Sequence, residues 1–226
     1  MKTDDRMATA EGAPSMNESA ARAEALALMS ELEHKPLHVQ HVARLAVSLF
    51  EQLIPLHGLG LRERLLLDAA ALLHDIGHQF GVQAPTEGHH HESARLIRAR
   101  RWAHFSPPEV EVIAQVARYH RKTMPELKHD EFRALDDWGR RAVQHLAALL
   151  RLADALDRTH HQLVRDVRAE IQPNQILFHL DAAASIQREV TAAHGKGDLA
   201  QAVFQRDLVF IAEGKVITPM PQPKVE

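Results

Sequence analysis

Apolar residues recur at helical spacing along most of this chain up to about position 160, and beyond it the spacing switches to alternation. From Pro36 the stripe Val42, Leu45, Leu49 and Leu53 keeps a three-to-four-residue period until Pro55 and Gly58 interrupt it, which predicts a helix opened by a first-turn proline. Ser15 can begin an earlier helix carrying Ala25, Leu26, Leu28 and Met29. Residues 62–75 are apolar almost all round, from Leu65 to Leu73, and predict the helix at the centre of the core. A loop with Gly81, Pro85 and Gly88 leads to a helix from about His90 to Arg100. Ser106-Pro107-Pro108-Glu109 then joins a capping box to a first-turn proline and launches a helix reaching about His120. After a connection containing Pro125, a long helix is predicted from about Asp137 to Arg158, with Val143, Leu146, Ala147 and Leu150 on one face.

Val167, Ala169 and Ile171 alternate, Pro173-Asn174 turns the chain, and Ile176, Phe178 and Leu180 alternate again, the signature of a hairpin. Helices over roughly 182–193 and 199–204 and a second hairpin around Glu213-Gly214 follow. The expected architecture is mainly α: a helical bundle over 15–162 with a small α+β lobe over 163–218, built from two β-hairpins plus helix. Residues 1–14 read as a flexible arm, and 219–226, with Pro219, Pro221 and Pro223, as a disordered tail.

Composition sharpens this picture at a few points. With aromatics at only 4% of the residues, the core has to be built from Leu, Ala, Val and Ile, which suits helices. The absence of cysteine excludes disulfides, iron–sulfur clusters and thiolate zinc sites, so any metal must be held by nitrogen and oxygen. A net charge of −3 offers no general attraction to nucleic acid or to anionic membranes. No stretch resembles a signal peptide or a membrane span, and a cytoplasmic location is expected.

Helical phase selects among the 17 histidines. His38 lies within the stripe of Val42, Leu45 and Leu49, whereas His34 and His41 lie off it. His74 and Asp75 end the continuous apolar run. His120 is in register with Ile113, Val116 and Ala117, and Asp154 continues the line of Val143, Ala147 and Leu150. His90 shares a face with Ala94 and Ile97, with His89 and His91 displaced by about a hundred degrees each way. One inward histidine is more often a hydrogen-bonded core residue than a ligand. A set converging from several helices is what a metal site requires. Arg121 and Lys122 follow His120, and Arg158 lies one turn beyond Asp154, so all three are candidates for a substrate phosphate; Arg158 can equally serve as the i,i+4 partner of Asp154. The pair His34 and His38 lacks the glutamate of a His-Glu-x-x-His metalloprotease, and no glycine-rich nucleotide loop occurs.

Leu73-His74-Asp75-Ile76-Gly77-His78, with His38 before it and Leu152-Ala153-Asp154 after it, resembles the H…HD…D signature of HD-superfamily phosphohydrolases. The segments 49–53, 117–122 and 149–158 are similar to the C-terminal HD portion of the exopolyphosphatase and guanosine pentaphosphatase family, and the likeness covers most of residues 20–215. It implies an HD-domain bundle in which His38, His74, Asp75 and Asp154 ligate one divalent ion, with His90 and His120 available for a second, and in which Asp75 and His74 are catalytic. Mixed imidazole and carboxylate donors suit Mn, Fe, Co, Ni or Zn better than Mg. Full-length relatives carry an N-terminal actin-like phosphatase domain, for which this sequence shows neither the length nor the glycine-rich loops, and Glu92 stands where the family often has histidine. The expected activity is hydrolysis of a nucleotide, a guanosine polyphosphate or another small phosphate ester or anhydride. The alternative is a non-catalytic metal- or nucleotide-binding regulatory module that works with a separate phosphatase domain. The expected partners are the small phosphorylated substrate and, in a homodimer, a second copy of the chain; neither membrane nor nucleic acid is expected.

Overall fold

The computed structural model describes residues 16–78 and 88–220. The arm over 1–14 and most of the tail expected over 219–226 lie outside the described residues. The helices run α1 (Met16–Leu32), α2 (Pro36–Gln52), α3 (Ile54–His57), α4 (Leu61–Leu73), α5 (His89–Ala99), α6 (Pro107–Arg118), α7 (Asp130–Arg133) and α8 (Asp137–Leu156). A small lobe follows, with β1 (Val164–Ile171), β2 (Gln175–Ala182), α9 (Gln187–Lys196), α10 (Asp198–Phe204), β3 (Asp207–Ala212) and β4 (Lys215–Val216). The protein is therefore mainly helical with a small α+β lobe, as its hydrophobic spacing predicts.

Every residue of α4 from Leu65 to Leu73 is buried, and α1, α2, α6 and α8 pack around it. The one charge inside that run, Asp68, is matched by Arg22 of α1, whose Nε donates to its carboxylate at 2.7 Å. The starts of α2 and α6 and the end of α3 follow local chemistry. Pro36 stands in the first turn of α2, and Gly58, with φ of 62°, closes the single turn of α3 in the left-handed region that glycine tolerates. At the start of α6 the Glu109 carboxylate accepts from the Ser106 backbone N–H and hydroxyl, each at 2.8 Å, and Arg62 of α4 clamps the same carboxylate. Among the described residues no helix is long and apolar enough to cross a membrane.

The four strands lie in the order β1-β2-β3-β4. β1 and β2 form the antiparallel hairpin, β3 returns parallel to β2 after α9 and α10, and β4 pairs antiparallel with β3. The inward residues of β2 and β3 meet in register, so that Phe178 and Phe210 stack with ring centroids 5.4 Å apart. The lobe is fixed to the bundle on two sides. Gln52 of α2 behaves like a neighbouring strand, donating to Val167 O at 2.8 Å and accepting from Ala169 N at 2.7 Å, while α9 and α10 pack on α8. The first helix of the lobe starts at Gln187 rather than near 182, because β2 continues to Ala182 opposite Val164.

Candidate metal centre

The candidate site is assembled at helix ends. His38 lies in the first turn of α2, His74 is the C-cap of α4, His89 begins α5, His120 follows the last turn of α6, and Asp154 stands in the last turn of α8. The C-terminal ends of α4, α6 and α8 thus all deliver a residue here, and unpaired carbonyl dipoles at such ends favour a cation. The expected helices were longer at these ends by about two residues. Their shortening matters, because His74 and Asp75 sit in a turn that tightens into a 3₁₀ segment over 76–78, with the His78 N–H on Asp75 O at 2.9 Å.

That turn lies hard against α5. The Gly77 N–H donates to Ser93 Oγ at 2.9 Å, and a Cβ on Gly77 would come within 2.2 Å of His89 O and 2.6 Å of Ser93 N. The close approach decides which histidine of α5 meets Asp75. The face carrying His90, Ala94 and Ile97 is buried as its phase predicts, but the His74-Asp75 turn packs at the helix mouth, beside His89. His89 Nε2 lies 3.4 Å from Asp75 Oδ1. His90, expected among the ligands, is instead buried off to the side, its Nδ1 without a hydrogen-bond partner and its ring 6.3 Å from that of His120.

Asp75 is the hub. Around its Oδ1 stand Nε2 of His89, of His78 at 3.6 Å, of His74 at 3.7 Å and of His120 at 3.7 Å, while its Oδ2 lies 3.9 Å from His38 Nε2. Asp154 Oδ1 faces His38 Nε2 at 3.5 Å and His74 Nε2 at 3.9 Å. These separations are too long for good hydrogen bonds. They are what nitrogen and oxygen donors show when they surround a common centre. Three groups have ligand atoms all within 4.8 Å of one another: His38, His74 and Asp75; His74, His120 and Asp154; and Asp75, His78 and His89. Asp75 is the member common to two of these groups, which share no other residue.

The outward nitrogens fix the tautomers. His74 Nδ1 and His120 Nδ1 donate to the carbonyls of Ala71 and Ala117, at 2.7 and 2.6 Å. His38 Nδ1 donates to Asp157 Oδ2 at 2.8 Å. Each ring thereby turns Nε2 toward the carboxylates, and the Nε2 atoms of His38 and His74 are buried with no hydrogen-bond partner. A buried polar ring nitrogen with no hydrogen-bond partner costs free energy unless something binds it. Imidazoles oriented by a carbonyl or carboxylate at the far nitrogen, with the near nitrogen open, fit a divalent metal ion well.

The electrostatics agree. Burial works to raise the Asp75 carboxyl, but the surrounding His74 and His120 outweigh it and hold it below the usual carboxylate range. Asp154 is likewise held well below, burial being outweighed by Lys196 and His38. Burial, helped by neighbouring histidines and by Arg121 and Lys122, lowers His89 to about 4 and His90 to about 3, and burial with His74 and Lys196 beside it holds His120 well below its ordinary value. His38 goes the other way. Burial opposes its charge, yet the nearby Asp154 carboxylate, the hydrogen bond to Asp157 and the charge of Asp75 lift it to about 9.

The cationic residues lie at the margin. Arg121 Nη1 sits 3.3 Å from His89 Nε2. Lys122, with φ of 62°, is exposed and reaches back toward Gly88. Arg158 is exposed one turn past Asp154. Several participants carry no periodic signal. His78 lies inside the quoted motif and stacks on His89 with centroids 3.5 Å apart. His160, in the left-handed region at φ of 58°, stacks flat on His38 at 3.8 Å. A cleft of about 560 Å³ lined by Lys35, Pro36, Leu37 and Gln162 opens beside these two rings. Lys196 arrives from the small lobe to pair with Asp154.

A helical bundle whose buried histidines and aspartates can hold metal ions is thus the class that fold and site define. Residues 22–192 match the family model described as Ppx/GppA phosphatase, domain III, and the chain belongs to that family. Among curated proteins none matches the chain.

Proposed function

We propose that this chain is an HD-type, metal-dependent phosphohydrolase acting on a nucleotide, a guanosine polyphosphate or another small phosphate ester or anhydride. The observation that carries the reading is Asp75, a buried carboxylate ringed by five imidazole Nε2 atoms from four segments of chain. Membership of a phosphatase family supports it.

His38, His74, Asp75 and Asp154 would hold one ion, and Asp75 with His78, His89 and His120 a second. Bound there, a divalent ion of the Mn-to-Zn series would supply a more acidic water and neutralise phosphoryl charge. The chain's own residues do the rest. Asp157, Ala71 and Ala117 hold the three imidazoles in one orientation through their far nitrogens. Arg121, with its guanidinium at the mouth of the Asp75 site, offers planar donors to phosphate oxygens, and Lys122 adds a second positive charge from the adjoining rim. Arg158 completes the candidate set from the end of α8.

The competing reading, a regulatory metal- or nucleotide-binding module serving a separate phosphatase domain, draws on the family match being to domain III. Turnover separates the two. Purified chain loaded with Mn²⁺ is assayed on a panel of phosphoesters and nucleoside polyphosphates beside Asp75→Ala. Phosphate release that is metal-dependent and lost in Asp75→Ala establishes the hydrolase; nucleotide binding with no turnover on any substrate establishes the module.

A further inference from the structure

One oxygen of Asp154 is already taken. Lys196 Nζ donates to Oδ2 of Asp154, and Oδ1, the other oxygen, faces His38 and His74. Both partners are largely shielded from water, with side chains 22% and 12% exposed, so the pair lies in a medium where direction and charge count for more than at the surface. Lys196 is the last residue of α9 and comes from the small lobe, not from the bundle that supplies all the candidate ligands.

The lysine's position is built rather than incidental. The buried Arg151, one turn before Asp154 on α8, spreads its guanidinium over three acceptors. Nε donates to Lys196 O at 3.0 Å, Nη2 to Asp198 Oδ1 at 2.6 Å, and Nη1 to Tyr119 O at 3.3 Å, next to His120. One side chain therefore ties the α9–α10 junction to α8 and to the end of α6 together. The junction is also tightly packed: a Cβ on Gly197 would meet Leu208 Cδ1 at 2.7 Å and Ala193 O at 2.9 Å.

We propose that Lys196 is a positioning residue for the metal centre: by engaging Oδ2 it stops Asp154 from rotating or chelating and presents the single oxygen Oδ1 to the cation beside His38 and His74. The inference rests on the metal-site reading above and adds to it a contribution from the small lobe. Ligating carboxylates held by an outer partner lose on the order of 10–100-fold in metal affinity when that partner is removed. Plain electrostatics makes the opposite forecast, because deleting a positive charge beside a metal site should tighten binding. The sign of the change decides between them.

The test is a titration of the metal-stripped full chain with Co²⁺, followed by calorimetry and by the visible absorption of the bound ion, in wild type, Lys196→Met, Lys196→Arg and Asp154→Asn. We expect Lys196→Met to bind Co²⁺ about tenfold more weakly and with an altered visible band as Oδ2 becomes free to coordinate. Lys196→Arg, which keeps a cationic donor, is expected to recover most of the affinity, which a folding defect in the methionine variant alone would not explain. Binding in Lys196→Met equal to or tighter than wild type overturns the positioning role while leaving the metal site standing, provided Asp154→Asn loses affinity. A wild-type chain that takes up no Co²⁺ overturns both.

Discussion

His38 is charged in the metal-free chain at neutral pH, and that gives stability a pH dependence whose sign can be worked out. Its ordinary value is 6.5 and its folded value about 9. A raised histidine stabilises the fold fully below 6.5, and the contribution is lost as pH climbs through 9. At ~1.4 kcal/mol per pH unit, the difference amounts to about 3 kcal/mol. The ring is only 2% exposed, so solvent screening takes little from this. In a domain of this size each kcal/mol moves Tm by roughly 2–4 °C, so the metal-stripped protein should melt about 6–12 °C lower at pH 9.5 than at pH 6.5. Below 6.5 the slope reverses, because His41, His57, His89, His90, His120, His145 and His160 are all depressed by burial and the unfolded chain takes up protons that the folded one refuses. Stability of the metal-free protein therefore peaks near neutrality. Scanning calorimetry across this range checks it, and the His38 imidazole resonance gives the midpoint directly. Asp157→Asn removes one of the charges that raise His38 and should move that midpoint down toward 6.5. A Tm that is flat from pH 6.5 to 9.5, or a His38 midpoint near 6.5 in the wild type, refutes the reasoning.

The same proton governs metal uptake. Since Nε2 must lose its proton to ligate, affinity for Mn²⁺ should rise about tenfold per pH unit between pH 7 and 9, and calorimetry in buffers of different ionisation enthalpy should count close to one proton released from His38. Gly77→Ala drives a Cβ into the backbone at His89 and Ser93, so α5 must move away from the His74-Asp75 turn; we expect a loss of about 3 kcal/mol in denaturant melts together with weakened metal binding, and a variant as stable as wild type would contradict the packing described. Ser106→Ala strips the hydroxyl that Glu109 accepts at the start of α6; urea melts should show about 1 kcal/mol lost with metal affinity unchanged, since this cap lies at the far end of the helix from His120.

Which parts of this site the sequence disclosed follows from where the site sits. Helical phase reports the face a residue occupies, and for His38, His120 and Asp154 the buried face is also the one turned to the centre. It fails at α5. His90 has the right phase for burial and is buried, but the His74-Asp75 turn approaches the mouth of the helix, where orientation depends on the incoming chain and on Gly77 having no side chain; that gives the place beside Asp75 to His89. Asp157 could be read only as an ambiguous neighbour of Asp154, because its partner His38 is 119 residues away. Lys196 had no signal at all. A lysine closing a helix reads as a solvated cap, and only the fold of the lobe brings it across 42 residues to Asp154.

These misses share a cause that also bears on chemistry. The residues found by phase are the ones that supply nitrogen and oxygen donors, delivered by the first turn of α2 and the C-terminal ends of α6 and α8, and they make the centre attractive to a cation. The residues phase cannot find, Lys196, the half-buried Arg121 and the exposed Lys122, stand at or just past helix ends and carry positive charge. A site of carboxylates and neutral imidazoles alone would repel a phosphate as strongly as it attracts a metal. On the proposed function, a cationic margin would let anion recognition coexist with cation binding. Neutralising Arg121 and Lys122 together should consequently weaken binding of inorganic phosphate to the Mn²⁺-loaded chain while leaving Mn²⁺ affinity equal or slightly tighter; equal phosphate affinity in that double variant would move substrate recognition to another face of the molecule.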